Sequence, residues 1–84
     1  MANVHLIDDF VSREHRFTLG RDRRNGRPFL STPVSGALLA VEYEAYFWIE
    51  EDQYQRFRAD PEAAAQFTDD CRMGRHGARL IARP

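Results

Sequence analysis

VEYEAYFWIEEDQYQRF (41–57) contains the change of period that decides the fold. Val41, Tyr43, Ala45, Phe47 and Ile49 fall on one side of an alternation, and Glu42, Glu44, Tyr46, Trp48 and Glu50 fall on the other. Successive side chains of a strand point to opposite faces, so this stretch is a strand with one apolar face. Wound as a helix, it would scatter Glu42, Tyr46 and Ile49 on one side and Glu44 and Trp48 on another. The strand extends back to Ala37, and its aromatic and β-branched content agrees with that assignment. After Glu50 the spacing changes. Glu51 and Asp52 suit a helix N-terminus, where unpaired N–H groups and the positive dipole end favour acids. Tyr54 and Phe57 then recur at helical spacing, and this first helix ends near Ala59.

Working outward, Asp60-Pro61 restarts the chain, with Asp60 as N-cap and Pro61 as first helical residue. A second helix over 61–73 carries Ala64, Phe67 and Cys71 on one stripe, and Gly74 stops it. Upstream, residues 14–21 alternate, with His15, Phe17 and Leu19 opposite Arg16 and Thr18. Asn25-Gly26 supplies the positive φ values of a tight hairpin turn. A strand over 27–34 follows. Pro28 and Pro33 cannot donate to a ladder, so this strand is expected to be short, at an edge or broken at its ends. Residues 3–12 read either as a strand or as a helical turn, and 1–12 as an extra strand or arm. ARLIAR (78–83) reads as a final strand. The expected order is β-β-β-α-α-β: an α+β domain with an antiparallel sheet of about four strands and two short helices on one face.

The chain has 84 residues, which bounds it to one domain, 1–84, with a small core. All 12 of its basic residues are Arg, and the net charge is −1. Charge is unevenly spread. Residues 37–63 set Glu42, Glu44, Glu50, Glu51, Asp52, Asp60 and Glu62 against only Arg56 and Arg58, and both flanking segments are mildly basic. A single Cys excludes an internal disulfide. No apolar run reaches the ~20 residues of a membrane span, and no signal-peptide pattern opens the chain, so the expected compartment is the cytoplasm.

Catalytic signals are absent. His5, His15, His76 and Cys71 lack the close-spaced pairs of a zinc site, so no metal or other cofactor is expected. Ser12, Ser31 and Ser35 lack a nucleophile-elbow motif, and Cys71 sits in mid-helix with nothing to activate it. Glu42 and Glu44 share a strand face, but no pocket is indicated around them. Two binding surfaces remain. One is the acidic–aromatic face of Glu42, Glu44, Tyr46, Trp48 and Glu50, continued by Glu51 and Asp52. Large rings with a polar handle, flanked by charge, are typical interface anchors, and the acids imply a basic partner. The other is the hairpin tip RDRRNGR, where Arg21, Arg23, Arg24 and Arg27 could grip phosphates. The pI of about 6.3, well below that of dedicated nucleic-acid modules, argues against this alternative.

The run RPFLSTPVSG (27–36), then VEYEAYFWIEEDQYQRF (41–57), then DPEAAAQF (60–67) and a final basic strand resembles small immunity proteins of bacterial polymorphic-toxin and contact-dependent growth inhibition systems. The resemblance covers roughly residues 25–83 and is one of overall pattern. It implies a cytoplasmic, non-enzymatic protein that binds one cognate toxin and occludes it. With the acidic–aromatic face, it leads to the expectation of a toxin with a basic surface, such as a nuclease. The runner-up is a nucleic-acid-binding regulator using the Arg21–Arg27 tip. An open sheet edge would also permit a homodimer.

Overall fold

A computed structural model describes residues 5–35 and 42–81. Four strands form one antiparallel sheet in the order β1-β2-β3-β4: β1 Leu6–Ser12, β2 Phe17–Asp22, β3 Pro28–Ser35 and β4 Glu42–Trp48. Two helices follow, α1 Glu51–Ala59 and α2 Ala65–Arg72, linked by a 3-10 turn at Pro61–Ala64. The α+β class, the four-stranded antiparallel sheet and the two helices on one face all agree with the sequence reading.

The apolar alternations explain the layering. Phe17 and Leu19 of β2, Leu30 and Val34 of β3, and Ala45 and Phe47 of β4 form one buried cluster, joined by Ile49 just past β4. Tyr54 and Phe57 of α1, Ala64, and Phe67 and Cys71 of α2 close the same cluster from above. Tyr43 has the core parity and pairs with Val34, but it lies 46% exposed at the rim of the core. The part of the expected strand before Glu42 lies outside the described residues.

Several details settle or depart from the sequence reading. Within residues 3–12, Leu6–Ser12 supply the fourth strand as β1, the strand alternative of the sequence reading, and residues 3–4 lie outside the described residues. Among its described residues, the C-terminal segment does not form the expected strand. Residues Gly77–Arg79 make a 3-10 turn, and only Leu80 bridges to Phe47. Here Arg79 is held by its side chain, which donates to the Trp48 carbonyl (3.1 Å) and to Gln53 Oε1 (3.4 Å). Residues 82–83 lie outside the described residues.

β3 is neither short nor at an edge: it is eight residues long and pairs on both sides. Pro28 opens the strand. Pro33 would turn its N–H toward the β2 side, where the ladder has already ended at Thr18↔Ser31, so no ladder bond is lost.

The β2–β3 hairpin is longer than the two-residue turn that Asn-Gly suggests. Asp22 N–H donates to the Arg27 carbonyl (2.8 Å), and of Asn25 and Gly26 only Gly26 has positive φ, +75°. Asp22 takes over the turn, accepting the Arg24 N–H on its carboxylate (2.9 Å) and the Gly26 N–H on its carbonyl (2.7 Å). Asp60 precedes the second helical segment as expected but makes no side-chain cap bond.

Candidate protein-binding face

The side of the sheet away from the helices carries the half-buried rings. Tyr46 and Trp48 take the β4 positions between the core-facing residues Ala45, Phe47 and Ile49. Register sets Asp8, Gly20, Phe29 and Trp48 in one row across the four strands. Gly20 makes that row possible. A Cβ there would stand 2.6 Å from the Phe29 ring and would clash with the Ile7 carbonyl oxygen. With no side chain at Gly20, the Phe29 ring lies across β2, fully buried on the face without helices. Tyr46 packs against that ring, with centroids 5.6 Å apart. Trp48 is capped by the Arg27 guanidinium, 4.2 Å above the indole. Burial pushes the Tyr46 hydroxyl above its ordinary pKa, and the negative charges of Asp8 and Glu44 add to the shift. The face is therefore an aromatic strip seated on Phe29, with carboxylates near Tyr46 and a cation over Trp48.

The structure divides the acids that the sequence grouped. Glu44 stays with Tyr46 and Trp48, and Glu42 takes the register position opposite Ser35. Glu50 is exposed at the helix N-cap, where its backbone N–H donates to Gln53 Oε1 at 2.8 Å. Glu51 turns to the helix side and meets Arg21 through two bonds of 2.7 Å, while Gln55 donates to it as well. The Arg21 bonds, helped by Gln55, hold the Glu51 carboxyl down to about 2. Asp52 is exposed in the first turn of α1.

The arginine tip is largely engaged within the chain. Arg21 pairs with Glu51 and stacks over the Tyr54 ring at 4.1 Å. Arg24 grips Asp22 through Nη2 (2.8 Å) and Nε (3.1 Å). Asp22 is only 1% exposed, and the Arg24 side-chain and backbone bonds hold its carboxyl down to about 2. Arg27 covers Trp48. Arg23 is exposed, and its backbone N–H donates to the His5 carbonyl. The two rival surfaces of the sequence reading thus meet, with Arg27 lying over Trp48 and Arg21 pairing with Glu51.

Asp8, Phe29 and Gly20 were missed as parts of this face. Phe29 had the alternation to be found, but Asp8 and Gly20 acquire a role only through the β1–β2 register.

Cys71 is buried, and burial with the nearby Asp70 charge pushes its thiol up to about 12. His76 stacks on Phe67 at 4.4 Å, with Nε2 3.8 Å from the Asp70 carboxylate. Among the described residues no group of three or more His, Cys, Asp or Glu is placed to hold a metal ion, and no helix is long and apolar enough to cross a membrane. Two shallow depressions of about 180 and 160 Å³ lie at Arg13, Phe17 and Glu44 and at Val34, Phe47 and Leu80. No family model matches the chain, and comparison with curated proteins and with solved structures finds no match for it.

Proposed function

We propose that this chain is a non-enzymatic binding protein of the immunity type, which occludes a cognate bacterial toxin with its helix-free sheet face. One observation carries the proposal: Tyr46 packs on the buried Phe29 ring, Trp48 lies opposite Phe29 in register under the Arg27 guanidinium, and both face away from the helices on the side that also carries Asp8 and Glu44. Rings already held in place lose little side-chain freedom on binding, which is what an interface anchor requires. The carboxylates, with Glu42 in the same strand, would steer and select a basic surface such as the active face of a nuclease. The site of action would be the cytoplasm. The nucleic-acid alternative has weaker support, because Arg21, Arg24 and Arg27 already serve Glu51, Asp22 and Trp48.

The test is capture from the source organism with tagged wild-type protein, beside Tyr46→Ala/Trp48→Ala and Asp8→Lys/Glu44→Lys variants shown to be folded. The expected result is one captured protein with a basic domain, lost with both variants. Expression of that domain alone should arrest growth, and co-expression of wild type should restore it. Capture unchanged in both variants would remove the role of this face. A salt-sensitive mobility shift of nucleic acid, abolished by Arg23→Ala/Arg24→Ala, would favour the alternative.

A further inference from the structure

The two edges of the sheet are treated differently. At β4, the carbonyls of Tyr46 and Trp48 point outward and are met by the chain itself, through the Ile81 N–H (2.8 Å) and the Arg79 guanidinium (3.1 Å). At β1, no such cover exists among the described residues. The register shows which groups are left open. The His5 carbonyl accepts from Arg23 N–H, and Asp22 N–H is turned to Arg27, so His5 and Ile7 bond inward to β2. Leu6 and Asp8 then turn their backbone N–H and C=O outward. After the bulge between Asp8 and Phe10, Val11 does the same. The side chains of these three residues lie on the helix-free face, continuous with Phe29 and Tyr46. Val11 is 57% exposed, and Ile7 on the opposite side of the strand is 48% exposed.

An edge strand with exposed apolar residues ordinarily invites a second copy. Here the middle of the strand is Asp8-Asp9, and both residues are exposed. An antiparallel pair of β1 strands centred on that point would bring four carboxylates together, and like charges opposite one another are destabilising. We infer that the β1 edge is a docking edge for an extended, basic segment of the partner, which adds a fifth strand, and that it rejects a second copy of this chain. Main-chain bonds to Leu6, Asp8 and Val11 supply the attachment. Arg or Lys opposite Asp8, with apolar residues beside Leu6 and Val11, supplies the selectivity. This inference deepens the proposed toxin-binding reading and rests on it for the partner's basic character.

The test uses three capped heptapeptides: one alternating Arg with Val, its Glu-for-Arg counterpart, and the Arg peptide N-methylated at alternate amides. Binding is followed by Trp48 fluorescence and by hydrogen exchange of individual amides. The Arg peptide is expected to bind and to protect the amides of Leu6, Asp8 and Val11. Its affinity should exceed that of either other peptide by about tenfold or more and should fall about tenfold with Asp8→Asn, an exposed position that leaves the fold intact. Wild type should sediment as a monomer. Binding that changes Trp48 fluorescence but leaves the three amides unprotected would overturn the edge proposal and leave the helix-free face standing. Absence of binding, or a wild-type dimer that protects these amides, would also overturn it, and the capture experiment would still judge the toxin-binding reading on its own.

Discussion

Gly20 lies within β2 and Gly26 in the β2–β3 turn, and they are needed for different reasons. At Gly26 the space around a Cβ is empty but φ is +75°, so the constraint is backbone conformation. At Gly20 the constraint is the Phe29 ring and the Ile7 carbonyl, which occupy the place of a side chain. Gly20→Ala should therefore cost about 1–3 kcal/mol as an overpacking change, and it should disturb the Tyr46–Phe29 contact. Urea unfolding measures the first effect, and Trp48 emission the second. Tyr54 is another residue whose polar end matters. Its hydroxyl donates to Asp9 (2.7 Å) and accepts from Arg58 (3.1 Å), tying α1 to the edge strand. Tyr54→Phe keeps the ring in the core and should lose about 1 kcal/mol, read as a lower urea midpoint with an unchanged slope.

At the scale of elements, the β2–β3 hairpin and the start of α1 are held by carboxylates whose pKa values lie below their ordinary ones. Asp22 falls from 3.8 to about 2 and Glu51 from 4.5 to about 2. Asp70, bonded by Gln66 and Arg75, shifts the same way. A carboxyl depressed in the folded state takes up its proton more readily in the unfolded chain. The stability these groups supply is thus fully present above pH 4.5 and is lost as pH falls toward 2. Urea midpoints should be level from pH 7 to pH 5 and decline steeply between pH 4.5 and pH 2. Asp22→Asn should flatten that decline and lower the midpoint at pH 7. A midpoint independent of pH over the whole range would contradict these pairings.

Over the whole molecule, one small core serves both layers, so a single cavity is expensive. Phe67 of α2 touches Phe57 of α1 (5.8 Å), His76 (4.4 Å) and the Arg79 guanidinium (5.5 Å), joining the helices to the C-terminal segment. Phe67→Ala should cost about 3–5 kcal/mol. A domain of this size has only about 4–12 kcal/mol in total, so the variant should be largely melted near 37 °C by circular dichroism. The same economy bears on the binding reading. The chain spends one sheet face on its core and leaves the other to be stabilised by Phe29, Tyr46, Trp48 and the Arg27 cap.

Periodicity determined the α+β class, a strand within 37–50 that the structure shows over Glu42–Trp48, the helix boundary after Glu50 and the core stripe of Phe17, Leu19, Phe47, Tyr54, Phe57 and Phe67, because each depends on spacing within one element. It also placed Tyr46 and Trp48 opposite the core. Tertiary structure decided which segment became the fourth strand, that Pro33 fits a central strand, and which partner each charge found. Arg21 met Glu51 across 30 positions, Arg27 met Trp48, and Asp8 came into the row of Gly20, Phe29 and Trp48. These pairings depend on register between distant strands and on the absence of a side chain at Gly20. Neither has a local signature, and so two surfaces that looked like rivals in the sequence proved to be adjacent in space.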